Sequence, residues 1–361
     1  MQKISYSKTH NPEFYKTLQQ RVRAYFRENN KTKFANTNMK IKTVFMLVLY
    51  IFPFIAITTI ADNRWVIMGL WFLMGIGMAG IGLSIMHDAN HGAYSKNDRV
   101  NKYLGLLLYL LGGSDVNWRI QHNILHHTYT NVTGIDEDLN PGNILRFSPH
   151  TKWRSFHKFQ VYYAWFFYGL MTFAWALIKD YRQAYRYHRM DLTKTQGITY
   201  QNLLFKIILS KILYFSIILV LPFLFSPVEW WFTLLCFFLM HFVCGIILSL
   251  IFQPAHVVPT SNYPVPENSG QIDADWAVSQ LYNTSNFAPK SRFFSWYVGG
   301  LNFQIEHHLF PNICHVHYPQ LSEIVKKTAQ EFQLPYFSEK TFFHALRSHF
   351  QMLKQLSCKP Q

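Results

Sequence analysis

Residues 43–91 read TVFMLVLYIFPFIAITTIADNRWVIMGLWFLMGIGMAGIGLSIMHDANH. Within them, 43–60 and 65–86 are apolar runs long enough to cross about 30 Å of hydrocarbon as helices. Only residues 61–64 separate the two runs, so the stretch predicts a membrane hairpin. It ends on HDANH, which sets His87 and His91 four residues apart. On a helix, residues at that spacing lie one above another on the same face. The two imidazoles can therefore converge on one metal.

Working outward, residues 212–225 and 230–252 form a second apolar pair that turns at 226–229. Its first arm is short, and 203–210 extend it if Lys206 and Lys211 snorkel to the interface. His256 follows in FQPAHVV. The first 42 residues carry ten scattered Lys and Arg. That is no secretory signal, and it places the N-terminal segment on the cytoplasmic side. Two hairpins then deliver His87 and His256 to that same side.

Residues 161–178 are also long enough to span. A fifth crossing would put His256, His307 and His308 opposite His87, which a shared site forbids. This segment is expected to lie in the interface or to re-enter, with Tyr162, Tyr163, Trp165, Phe166, Phe167 and Tyr168 at headgroup level. Residues 104–111 are too short to cross and are expected to be half-buried. The expected fold is an all-α integral membrane protein of one domain, with four transmembrane helices in two hairpins. It divides into a cytoplasmic N-terminal segment (1–42), a hairpin (43–86), a cap (87–211), a second hairpin (212–252) and a C-terminal cap (253–361).

Composition agrees. The 361 residues are 50% hydrophobic and 15% charged, whereas soluble domains run near 25% charged. The net charge of +15 fits positive residues on a cytoplasmic face better than a nucleic-acid patch, given such apolar runs. Cys236, Cys244, Cys314 and Cys358 show no CxxC spacing, and two lie inside an apolar run, so structural thiols are expected.

Of 17 histidines, eight fall in four short motifs beside these segments: His87 and His91; His122, His126 and His127 in HNILHH; His256; His307 and His308 in QIEHH. Imidazole suits iron, copper, zinc and nickel. A single zinc takes three or four protein ligands, so eight imply two metals. By the helical rule His122 and His126 share a face, with His127 about 100° round. Adjacent His307 and His308 diverge by the same angle and can serve two metals. HDANH lacks the glutamate of the HExxH metalloproteases, and a hydrolytic zinc needs an open position and few ligands. Two irons in an imidazole-rich shell suit O₂ activation.

The motifs HDANHG, WRIQHNILHHTYTN and QIEHHLFP, in this order relative to the two hairpins, resemble the membrane fatty acid desaturases from about Phe34 to about Leu321. Gln304, where other branches of that family have a histidine, resembles the front-end branch, which acts typically at Δ5 or Δ6. The resemblance implies that His87, His91, His122, His126, His127, His256, His307 and His308 bind two irons. It implies an O₂-dependent cis-desaturation of a fatty acyl chain, carried as acyl-CoA or acyl-lipid. Asp88, Asn90 and Asn123 would orient imidazoles, Gln304 would bind metal or sit beside it, and His315 would be a supporting residue near the site. No His-Pro-Gly-Gly haem motif occurs in the sequence, so electrons would come from a separate ferredoxin or cytochrome b5. A bacterial inner membrane is the expected location.

Three further readings are open to test. Trp118 and Arg119, directly before the second box, could meet a substrate headgroup. Asp136, Glu137 and Asp138 read as a solvated acidic loop. His241, midway along the last apolar run, reads as a neutral interhelical hydrogen bond, because it lies roughly 22 Å along a helix from His256 at about 1.5 Å per residue. Rival functions are a related di-iron acyl or alkane hydroxylase, and a zinc-dependent membrane hydrolase or receptor.

Overall fold

The computed structural model describes residues 4–7 and 11–360. Among the described residues, four helices are long and apolar enough to cross a membrane: Thr37–Thr59, Arg64–Asn90, Tyr200–Phe225 and Trp230–His256. They are referred to as the first to fourth spans. Each starts or ends beyond the apolar run that announced it. The first is capped by Asn36, whose side chain accepts from the Met39 N–H, so Lys40 and Lys42 join the helix. The second is capped by Asn63, which accepts from the Trp65 and Val66 N–H groups. The second and fourth spans continue through His87 and His256, so both histidines ride on the last turns of membrane helices.

The outer faces identify the solvent. Ile41, Val44, Phe45, Val48, Ile51, Phe52 and Ile55 of the first span are exposed at helical spacing. In water such a stripe would be an aggregation liability; in a bilayer it is the lipid-facing surface. The inner faces of the spans pack through small residues. A Cβ on Gly75 would stand 2.7 Å from the Met240 carbonyl oxygen, and one on Gly77 would stand 2.9 Å from the Tyr50 nitrogen. Small residues allow this close approach of membrane helices, whose packing depends on van der Waals contact.

The segment expected not to cross forms a broken helix, Ser155–Gly169 and Met171–Arg189, bent by 56° at the break. Just past the bend, the Thr172 hydroxyl donates to the His241 carbonyl, 2.8 Å away. One arm is tied to the C-terminal helix Phe342–Ser357 by Gln160, which donates to Leu353 O. The other carries Asp180, which meets Lys211 and Asn117. His241 itself bonds to Tyr214 Oη at 2.8 Å and to Thr172 Oγ1 at 3.2 Å, the interhelical role read for it.

Lys211 corrects an expectation. It does not snorkel: its side chain is buried, 2.6 Å from Asp180, and donates to the Gly112 and Trp175 carbonyls. An ammonium inside a bundle is costly unless paired, and the broken helix brings a carboxylate close enough that the chain need not reach water.

At the histidine end, helix Pro12–Glu28 buries Phe14, Leu18 and Val22, four residues apart, against Leu321, Val325 and Ala329 of helix Tyr318–Glu331. The N-terminal helix and the C-terminal segment therefore cap the same end of the bundle. Two short parallel strand pairs, Ser5–Tyr6 with Gln271–Ile272 and Asn286–Phe287 with Ser338–Glu339, tie this cap together. No disulfide links the four cysteines.

Candidate metal centre

Two features of local backbone place the histidines. Residues Ile81–Ile85, just before His87, and Arg119–His126, across the second box, are π-helical. A π turn closes over five residues rather than four and is frequent at functional sites. The His127 N–H accordingly bonds to the His122 carbonyl. The two side chains five apart come together, with His122 Nε2 and His127 Nε2 separated by 3.3 Å. His122 and His126 keep the shared face that their spacing gives, with rings stacked 5.2 Å apart and Asp138 within reach of both.

The eight imidazoles fall into two convergent sets. His87, His91, His122 and His307 bring ligand nitrogens within 4.8 Å of one another, and so do His126, His256 and His308. His127 lies between the sets: its Nε2 is 3.0 Å from His307 Nε2, and its ring stacks on His308 with centroids 4.5 Å apart. Adjacent His307 and His308 do serve different sets, as their divergence on one turn requires. All eight are buried apart from the half-buried His91. The Nε2 atoms of His91, His126, His256 and His308 meet no protein hydrogen-bond partner. Buried polar atoms are ordinarily satisfied, so four orphaned imidazole nitrogens aimed inward fit a site built for metal ions.

In four of the eight the opposite ring nitrogen is held, whereas His127 Nδ1 and His256 Nδ1 meet no protein partner. His122 Nδ1 lies 2.8 Å from Asp138 Oδ2, and His126 Nδ1 is 3.0 Å from both oxygens of Asp136. His308 Nδ1 faces Gln280 Oε1 at 2.9 Å, and His307 Nδ1 faces the Tyr318 hydroxyl at 3.3 Å. Such partners fix the tautomer, leaving Nε2 free to ligate. Burial, reinforced by neighbouring imidazoles, holds His127, His307 and His308 well below the usual imidazole range. Neutral imidazole is the ligating form. For His126 burial works the same way, but the Asp136 and Asp138 carboxylates outweigh it and raise its proton affinity.

Several expected roles are redistributed. The acidic stretch after the second box is not a solvated loop: Asp136 is buried and Asp138 nearly so, both turned onto imidazoles, while Glu137 pairs with Arg186 and accepts from Tyr187. Asp88 holds an imidazole, but that of His315, at 2.8 Å. His315 in turn meets Lys42 Nζ at 2.7 Å and belongs to neither set. Asn123 donates to the Asn90 carbonyl and Asn90 accepts from Arg119, so both tie two helices together rather than orient imidazoles. Trp118 and Arg119 do not form a headgroup surface. Trp118 is buried against His87, His91 and His122, and Arg119 is committed to Asp115 and Gln196. Gln304 is buried beside the third box with its Oε1 unpartnered.

The chain matches the fatty acid desaturase family over residues 63–340. The chain belongs to that family. It is 36% identical over 349 residues to the sn-1 linoleoyl-lipid 6-desaturase of Synechocystis sp. (strain ATCC 27184 / PCC 6803 / Kazusa), covering 95% of each chain. To the sn-1 linoleoyl-lipid 6-desaturase of Arthrospira platensis it is 32% identical, covering 96% of this chain and 94% of that one. It is 34% identical to an acyl-lipid (8-3)-desaturase of Physcomitrium patens, covering 98% of this chain and 73% of that one. This desaturase is thus an oxidoreductase acting on fatty acids, with helices able to span a membrane and histidine clusters able to hold metal.

Proposed function

We propose that this desaturase uses O₂ to introduce a front-end cis double bond, Δ6 before Δ5, into a linoleoyl-type chain esterified in a membrane lipid. The observation that carries the reading is the pair of convergent imidazole sets, with orphaned Nε2 atoms facing inward. His87, His91, His122 and His307 would hold one iron and His126, His256 and His308 the other, with His127 between them. Two irons in such a shell supply the activation of O₂ and the removal of hydrogen from an acyl methylene.

The residues of the chain do the rest. Asp136, Asp138, Gln280 and Tyr318 orient imidazoles, while Trp118 and Phe252 pack apolar rings against them and exclude water. The names of the Synechocystis and Arthrospira relatives support the acyl-lipid substrate and the Δ6 position. The basic N-terminal segment supports a cytoplasmic active site in a bacterial inner membrane, with the broken helix as a re-entrant segment. The +15 charge suits steering of an acidic electron donor, a separate ferredoxin or cytochrome b5.

The test is expression in a host fed linoleic and α-linolenic acids, with methyl-ester profiling and localisation of the new double bond. A Δ6 or Δ5 product, absent in His308→Ala, is expected. A hydroxylated product, or unchanged desaturation in a variant that has lost its metal, would refute the scheme.

A further inference from the structure

Helix Pro12–Glu28 closes the histidine end of the bundle with two stripes of different character. Phe14, Leu18 and Val22 turn into the cap. Tyr15, Gln19, Arg23 and Arg27 also recur every four residues and so share a second face. That face is half-buried at Tyr15 and Gln19 and exposed at Arg23 and Arg27.

The inner end of this face reaches the metal centre by two contacts. The Tyr15 ring meets the Trp276 ring edge-on, with centroids 5.4 Å apart. The Trp276 indole N–H donates to the His127 carbonyl at 3.0 Å. The Tyr15 hydroxyl donates to the Leu309 carbonyl at 3.0 Å, and Leu309 directly follows His308. One aromatic pair therefore touches the main chain at the histidine between the two sets, and again beside a member of the second. Both rings are half-buried. Electron tunnelling weakens steeply with distance, and less steeply through packed or bonded atoms than through space. Tyr15 and Trp276 make such a packed path from the outside of the cap to His127.

The outer end is basic. Gln20, Arg21, Arg23, Ala24 and Arg27 line an open groove there. Arg21 is held by Glu331 at 2.6 Å. Arg27 has only the exposed Glu28, 3.9 Å away, and Arg23 forms no salt bridge among the described residues. Burial raises the proton affinity of the Tyr15 phenol, and the Arg23 charge is near enough to oppose it. Guanidinium groups pair with carboxylates through two parallel hydrogen bonds, and a basic surface speeds encounter with an acidic partner.

We propose that the Arg23–Arg27 face of this helix is the docking surface for an acidic one-electron carrier protein, and that Tyr15 and Trp276 lead each electron from there to His127. The inference rests on the reading above that a separate carrier reduces the site. The carrier is oxidised by one electron at each docking. Two dockings supply two electrons, and the acyl chain gives two electrons and two protons as two C–H bonds break and the double bond forms. Solvent supplies two further protons, so O₂ leaves as two waters.

The first measurement is binding, made on the full chain in phosphatidylcholine nanodiscs, with and without metal. The probes are an acidic plant-type [2Fe–2S] ferredoxin, a soluble cytochrome b5, and anionic phosphatidylglycerol vesicles. Arg23→Glu with Arg27→Glu is compared with Arg182→Glu with Arg189→Glu, an equal change of charge on exposed residues of another helix. Wild type should bind one of the two carriers, with a Kd that rises with salt. The Arg23 and Arg27 pair should raise that Kd about tenfold or more and flatten its salt dependence, while the Arg182 and Arg189 pair should stay within about twofold of wild type. Desaturation driven by reduced methyl viologen, which needs no docking surface, should proceed in both pairs. Stopped-flow oxidation of the pre-reduced carrier by the metal-loaded enzyme then reads the route. At saturating carrier, Trp276→Leu and Tyr15→Leu should each slow it about tenfold or more with Kd unchanged, and Trp276→Phe, which keeps a ring against Tyr15, should recover most of the rate.

A Kd that the Arg23 and Arg27 pair leaves unmoved, or that both pairs raise alike, would overturn the docking surface. Loss of vesicle association without loss of carrier binding would also overturn it, by making the groove a lipid contact. Unchanged oxidation rates in Trp276→Leu and Tyr15→Leu would overturn the route. If wild type binds neither carrier yet turns over with viologen, the separate-carrier reading fails and the proposal with it. No desaturation by wild type with any reductant would instead refute the function proposed above, a failure that the binding results do not share.

Discussion

Replacing Asp136 by Asn tests whether a carboxylate outside the ligand set governs the metal. Asp136 receives three donors on two oxygens: His126 Nδ1 at 3.0 Å, the Asn131 N–H at 2.9 Å and the Asp138 N–H at 3.0 Å. The two backbone donors use different oxygens. Whichever position the Asn amide nitrogen takes, one buried N–H loses its acceptor, at about 1–3 kcal/mol of stability. The lost charge also lowers the basicity of His126, and removing such a partner typically weakens metal binding about 10- to 100-fold, equivalent to roughly 1.4–2.8 kcal/mol. Metal-to-protein ratio measured by mass spectrometry during a chelator titration, with melting temperature in the same detergent, separates the two effects. Metal retention like that of the wild type, in a variant whose melting temperature has fallen, would refute the orienting role and reduce Asp136 to a loop anchor.

Three further outcomes are expected. Lys211→Met strands Asp180 in the bundle and should cost about 3–5 kcal/mol, while Lys211→Met with Asp180→Leu should recover most of it; thermal unfolding in detergent reads both. Gly75→Val drives a side chain into Met240 and Val243 and should destabilise by about 1–3 kcal/mol, with Gly75→Ser less affected in the same melts. Burial pushes His349, bonded to Val257 O and Tyr168 Oη, down to about 4. Between that value and about 6.5, the unfolded chain binds the extra proton, so stability is full above pH 6.5 and is lost as pH falls towards 4. The slope is about 1.4 kcal/mol per pH unit in that window, and the difference between wild-type and His349→Gln melts should show it.

What the sequence displayed was whatever periodicity and residue type can carry. The two hairpins stood out because lipid demands long uninterrupted apolar helices, and the eight histidines stood out by clustering. Helical spacing showed the pairing of His87 with His91 and the divergence of His307 from His308, but not the approach of His127 to His122, which depends on a π-helical turn over residues 119–126 that no composition announces. Asp136 and Asp138 were visible as an acidic run, but only the fold shows that the loop turns back onto His122 and His126. Gln280 carried no signal at all, being one amide in a short helix brought to His308 by tertiary packing. Lys211 read as a residue reaching for water because its partner Asp180 lies on a different helix.

The distribution of the histidines also bears on how the protein is made. Neither set is local: one draws on residues from His87 to His307, the other on residues from His126 to His308. A ribosome delivers the first hairpin to the bilayer long before the QIEHH stretch has been synthesised. Until that stretch emerges, His87, His91, His122 and His126 have no complete coordination sphere to join. Metal held by these sets would therefore be loaded late in biogenesis, a checkpoint that a chain truncated before residue 304 could not pass.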